Sequence, residues 1–254
     1  MNPSIVVIIS AWEGHPVSFL RRLIESVNRF DAGEAYDLAL SVNGSEYQVP
    51  SDLAAGFRHI MQRENVGFNL GAWDHAWRRL PEYDHYLFLQ DECFVRRKNW
   101  LRRFRRRLAS ENGCGLVGEH FNTGWNHPWE TLLGQDDSGH AVSEKKRRRA
   151  AFYFQMLQDW GIPPGDTAAH LTTVVQYTSR RVLEEVDGYP IRKSYHEAIA
   201  AEIGFSRKIA AAGYCLRQVG RWRHSCIGHP QWQTERPAEK LRALLRGKTC
   251  REVL

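Results

Sequence analysis

The feature that most constrains this chain is a repeated switch between strand-like and helix-like apolar spacing. Ser4 to Ser10 is an unbroken Ile and Val run, the pattern of a parallel strand buried on both faces. Phe19, Leu20, Leu23, Ile24, Val27 and Phe30 then recur at helical spacing. Leu38, Leu40 and Val42 alternate as a second strand and stop at the turn Asn43-Gly44-Ser45. A short third strand near His59 to Gln62, a helix over Gly71 to Leu80 and an apolar strand from Tyr86 to Leu89 continue the series. A basic helix from Trp100 to Leu108 and a strand beginning at Leu116 and Val117 follow. Such alternation predicts an α/β fold, a mostly parallel twisted sheet flanked by helices. In these sheets ligands bind beyond the carboxyl ends of the strands. That rule sets Ala11 to Gly14, Asn43 to Ser45 and Gln90 to Glu92 on one rim.

Past Val117 the pattern weakens. Phe121 to Lys146 is polar and lacks a period, which marks a long functional loop. Its Trp125, His127 and Trp129 suit a sugar-stacking surface or a packed core equally. Leu171 to Tyr177 reads as a strand, Arg180 to Val186 and His196 to Ala212 as helices, and Cys215 to Val219 as a strand. Gly213 closes the second helix. From Pro237 onward the chain reads as a basic amphipathic helix. No repeat, proline-rich linker or low-complexity tract interrupts it, so the expectation is one domain over residues 1–236 and a tail over 237–254.

The chain has 254 residues, 43% hydrophobic, enough for one sizeable core. Its net charge of +6 suits an anionic partner. Much of the excess sits in Arg96, Arg97, Lys98, Arg102, Arg103, Arg105, Arg106 and Arg107, and in Lys145 to Arg149. These runs read as solvated basic faces first, as peripheral contact with an anionic membrane second, and as a nucleic-acid surface last. The five cysteines are odd in number and include no CxxC pair, which excludes a zinc module and a disulfide scaffold. Reduced thiols predict a cytoplasmic protein. The start of the chain reads as a buried strand, not a signal peptide, and no apolar stretch approaches the ~20 residues of a membrane span. Any membrane contact is therefore expected to be peripheral, at the inner face.

Several segments then carry a family resemblance. Asn65-Val-Gly-Phe-Asn-Leu-Gly-Ala-Trp-Asp74 is followed by Tyr86-Leu-Phe-Leu-Gln-Asp-Glu92 and by Trp100-Leu-Arg-Arg-Phe104. Later come Thr178-Ser-Arg-Arg-Val-Leu-Glu-Glu-Val-Asp-Gly-Tyr189, Glu202 and Ala212-Gly-Tyr214. Their order resembles the family 2 glycosyltransferases and their rhamnosyltransferase-like relatives. The resemblance implies a single GT-A-like domain. It also implies transfer of a hexosyl or deoxyhexosyl unit from a nucleotide-sugar donor to a hydroxyl acceptor, with inversion. The acceptor would be a glycan, a lipid-linked saccharide or a small molecule, in the setting of polysaccharide biosynthesis.

The chemistry assigns roles to residues. Carboxylates at a strand end can hold a hard cation such as Mn²⁺ or Mg²⁺ against a leaving diphosphate, so Asp91 and Glu92 are the expected metal ligands. The resemblance adds a late histidine, His224, with His229 as substitute. Gln90 stands where the family's first acid is expected, which sets metal dependence against charge supplied by Arg or Lys. A carboxylate must also take the acceptor's proton. The resemblance places it at Glu202, with Glu197 as the second candidate and Asp136 or Asp137 as further ones. Five helical residues separate the two glutamates by about 140° of rotation, so they diverge. Asn43, Asn65, Gly67, Gly71, Asp74 and Asp91 are the expected donor contacts, with Val42 where the family's ribose-binding aspartate would stand. The competing readings are a basic nucleic-acid or anionic-polymer binding protein and a catalytically degenerate family member. A sugar nucleotidyltransferase would need a basic glycine-rich loop that Ala11-Trp-Glu-Gly-His15 lacks.

Overall fold

A computed structural model describes residues 3–134 and 142–230. Its first half runs β1 (Ile5–Trp12), α1 (Val17–Arg29), β2 (Asp37–Asn43), α2 (Ser51–Ala54), β3 (His59–Arg63), α3 (Phe68–Arg79) and β4 (His85–Gln90). A short β5 (Phe94–Val95) leads to α4 (Trp100–Ala109) and β6 (Cys114–Gly118). Then come α5 (Trp129–Leu133), α6 (Glu144–Asp159), β7 (Val175–Ser179), α7 (Arg180–Glu185), α8 (Tyr195–Ala211), β8 (Cys215–Gln218) and β9 (Ile227–Gly228).

Seven strands form one sheet in the order β3-β2-β1-β4-β7-β6-β8, and β5 pairs with β9. The β1–β2, β2–β3, β1–β4 and β6–β8 pairs are parallel. Only β7 runs against its neighbours within this sheet. The expected α/β architecture, a mostly parallel sheet flanked by helices, is what the chain adopts.

Strand pleating sorts the core into two layers. Ile5, Val7 and Ile9 of β1 pack with Leu20, Leu23 and Val27 of α1 and with Trp100, Leu101 and Phe104 of α4. Val6 and Ile8 face the other way, onto Trp73, Ala76 and Trp77 of α3 and Phe205 and Ile209 of α8. Burying a side chain such as Phe104 or Leu23 contributes about 1.5–3 kcal/mol. A third cluster joins Trp129 and Leu132 of α5, Tyr153 and Leu157 of α6, and Ile203 of α8.

Three element assignments change. α3 starts at Phe68, not Gly71, behind Gly67 at φ +80°. The stretch read as irregular from Phe121 to Lys146 contains α5 and the start of α6, capped by the Ser143 side chain. The strand read from Leu171 to Tyr177 is regular only from Val175. Residues 237–254, Asp136 and Asp137 lie outside the described residues. No described helix is long and apolar enough to cross a membrane.

Candidate functional site

The parallel register sets Trp12, Asn43 and Arg63 side by side at the carboxyl ends of β1, β2 and β3. Asn43 is buried. Its Oδ1 accepts from Arg63 Nη1 at 2.6 Å and its Nδ2 donates to Phe68 O at 2.8 Å. Arg63 Nη2 donates to Val66 O at 2.7 Å. One residue past β4, Asp91 donates its N–H to Ser10 O at 3.0 Å, which turns its side chain onto the same rim.

Two carboxylates there each face a histidine. His15 Nδ1 lies 3.0 and 3.1 Å from the two oxygens of Asp91. The hydrogen bond to Asp91 raises the His15 pKa against the effect of burial. The Glu92 carboxylate lies 3.3 Å from Nε2 of buried His229. His224, the expected metal histidine, is engaged elsewhere. Its Nδ1–H donates to Ile227 O at 3.0 Å, and its ring packs edge-on to His120 at 4.7 Å between centroids. Burial pushes His120 and His224 down to about 4.

Across the rim, three side chains converge on the backbone of one residue, Thr173. Asn69 Nδ2 and Gln90 Nε2 donate to Thr173 O at 2.8 and 2.9 Å. Glu202 Oε1 accepts the Thr173 N–H at 2.8 Å. Glu202 is half-buried, and its Oε2 makes no hydrogen bond among the described residues. Gln90, the residue that departs from the expected acid, is thus an amide because its job is to donate to a carbonyl.

Other expected site residues serve the scaffold. Asp74 accepts from Trp77 Nε1 and Arg78 Nε and from the Tyr189 N–H, at 2.9, 2.8 and 3.0 Å. It ties α3 to the segment after α7. Glu197 forms a capping box with Ser194 at the start of α8, and its bonds to Ser194 hold its carboxyl below the usual range. In the structure its carboxylate serves the cap of α8. Gly71 is small because a Cβ would lie 2.0 Å from Val66 O, and at Gly67 a Cβ would meet Ile191 at 2.6 Å. Both glycines answer to internal packing. Asn65 is exposed. Trp129 is buried core, while Trp125 is half-buried against Tyr153.

His15, Arg63, Thr173 and Glu119 were missed in the sequence. Glu119 stands one residue past β6, as Asp91 stands one past β4, so the strand-end rule applied to β6 would have found it. Its buried carboxylate accepts the N–H groups of Ser225, Cys226 and Ile227 at 2.7, 3.0 and 2.7 Å. Burial outweighs these donors and pushes it up to about 7. Glu119 thereby anchors the segment that carries His224 and His229.

The residues do not form a ready metal centre. Asp91 is bridged by His15, Glu92 faces His229, and His224 turns to Ile227. Among the described residues no three His, Cys, Asp or Glu side chains are grouped to hold an ion.

No protein-family model matches the sequence, and neither does any curated protein. The fold is similar to that of the mannosyltransferase PcManGT from Pyrobaculum calidifontis, solved in complex with GDP-Man and Mn²⁺. The match has a TM-score of 0.54 at 14% identity and covers 86% of this chain and 55% of that one. The chain thus spans about half the length of the structure it matches. The class that this likeness defines is a glycosyltransferase-like α/β fold.

Proposed function

We propose that the chain transfers a hexosyl or deoxyhexosyl unit from a nucleotide-diphosphate sugar to a hydroxyl of a saccharide or other acceptor, with inversion. The observation that carries this reading is the Glu202 carboxylate. One oxygen is held by the Thr173 N–H, across Thr173 from Gln90 at the end of β4. The donor lies along the ends of β1, β2 and β4, contacting Asn43 and Asp91. Asn65, the exposed residue before α3, is a further donor contact. The acceptor oxygen bonds the anomeric carbon while its proton passes to Glu202. The bond from that carbon to the diphosphate oxygen breaks, and the diphosphate leaves with the electron pair. Arg63 supplies positive charge at the same rim.

Mn²⁺ in PcManGT accompanies a nucleotide sugar. Here Asp91 is bonded by His15, and among the described residues no three His, Cys, Asp or Glu side chains are grouped to hold an ion, so no step above runs through a metal. Melting temperature measured with a panel of nucleoside diphosphates, with and without Mn²⁺ or Mg²⁺, tests the reading. A ligand of the native state at 100 times its Kd adds about 2.7 kcal/mol of stability. A rise with one nucleotide supports the donor site. A further rise with the ion means that His15 yields Asp91 to it. Flat curves with every nucleotide remove the donor site.

A further inference from the structure

The arginine run does not make one uniform face. Arg102 and Arg105 turn to Glu34, at 3.7 and 2.7 Å, and Arg102 Nε also donates to Gly33 O at 2.8 Å. The opposite flank of α4 meets the segment that follows β8. Arg107 Nε donates to Gln218 O at 3.2 Å, and Arg107, Gln218 and Arg221 line one open groove. Arg96 Nη1 donates to His224 O at 2.8 Å. Arg103, one helical turn before Arg107, lies on the same flank of α4. The α4 flank and residues 218–226 therefore share one surface.

Next to this groove stands Trp222, 72% exposed, the most exposed large apolar side chain described. Arg221 and Arg223 flank it, with the Arg221 guanidinium 5.3 Å from its ring centroid. The loop is closed at its base, where a Cβ on Gly220 would meet Ser225 Oγ at 2.3 Å. Glu119 holds the chain just beyond. The indole is thus presented to solvent on a fixed support. Arg103, Arg221 and Arg223 form no ion pair with an acid among the described residues.

We propose that this surface docks on an anionic lipid bilayer, with Trp222 at headgroup level and Arg103, Arg221 and Arg223 on acidic headgroups. A water-exposed indole gains by moving to a membrane interface, where its ring is buried and its N–H stays hydrated. Unpaired surface cations add attraction to an anionic leaflet. Single-stranded nucleic acid would call for a row of stacking aromatics, and this surface exposes one. β6 and β8 run parallel to β4 through β7, so their carboxyl ends, next to this surface, lie on the same edge as Asp91. Docking would bring that rim to the lipid. The inference stands whether or not the chain transfers a sugar.

The test is flotation of the full chain with phosphatidylcholine vesicles, with and without phosphatidylglycerol, at low and high salt. The wild type should float with the anionic vesicles at low salt and be released by high salt. Trp222→Ser should weaken binding about tenfold or more through lost apolar burial. Each of Arg221→Gln and Arg223→Gln should weaken it about fivefold. Brominated phosphatidylcholine mixed into the anionic vesicles should quench indole fluorescence in the wild type and much less in Trp222→Phe, which still floats. Melting temperatures check that the variants fold. No binding at low salt, full binding by Trp222→Ser, or undiminished quenching in Trp222→Phe overturns the proposal. Tighter binding of single-stranded DNA than of anionic vesicles would overturn it in favour of a nucleic-acid surface.

Discussion

Glu202 and Gln90 meet on the backbone of Thr173: the carboxylate accepts its N–H at 2.8 Å while the amide donates to its carbonyl at 2.9 Å. A strand-end residue and a residue of α8 are thereby set at a fixed spacing across the rim. Asn69 adds a third bond to the same carbonyl. One Glu202 oxygen is fixed and the other accepts no hydrogen bond among the described residues, as the proposed role of proton acceptor requires.

Gln90→Glu should disturb this bridge although the side chain keeps its size. The substitution removes the N–H donor and brings a carboxylate oxygen against the Thr173 carbonyl. Leaving buried polar groups mismatched costs about 1–3 kcal/mol. Thermal melts should show a clear loss at neutral pH. An unchanged melting temperature would mean that the bridge contributes nothing.

Glu119 should make stability depend on pH in a set direction. Burial raises its pKa from 4.5 to about 7, so the folded chain binds this proton more tightly than the unfolded one. Its favourable contribution is complete below pH 4.5 and is lost as pH rises through about 7. Over that window Glu119 should lower stability by up to about 1.4 kcal/mol per pH unit. Denaturant titrations should show this slope in the wild type and a flatter one in Glu119→Gln. Equal slopes in the two proteins would refute the assignment.

Asp74→Ala should act on the fold alone. The side chain satisfies donors on Trp77, Arg78 and Tyr189, and its removal should cost about 1–3 kcal/mol. Donor KM should stay near the wild-type value under conditions where the variant is folded. A large rise in KM without loss of stability would restore Asp74 as a donor contact.

Sheet strands were legible where side chains alone decide them. The Ile and Val run of β1 and the apolar run of β4 admit no other packing. The segment from Leu171 failed because its apolar residues are strand-like while its backbone is bonded elsewhere. Thr173 gives both its N–H and its carbonyl to side chains, so it cannot join a ladder until Val175. Strand direction is likewise not written in side-chain pattern, which hid the reversal at β7. Acids at strand ends were legible as a class, but their partners were not. Whether a carboxylate faces solvent, as a ligand would, or His15, as Asp91 does, depends on residues 76 positions apart. Asp74 and Glu197 make a tie and a cap, contacts between residues distant in sequence or set by helix ends, which residue type alone does not separate from a binding role.

The most direct test of the account is the turnover of Glu202→Gln, measured beside Glu197→Gln once a donor and acceptor pair is in hand. The glutamine keeps size and hydrogen bonding but cannot take a proton. Glu202→Gln should lower kcat about 100-fold or more with little change in donor affinity. Glu197→Gln disturbs only the cap of α8 and should cost about 1 kcal/mol of stability at most, with kcat nearly unchanged. Wild-type turnover in Glu202→Gln, or a large loss of kcat confined to Glu197→Gln, would contradict the assignment of Glu202 as the base.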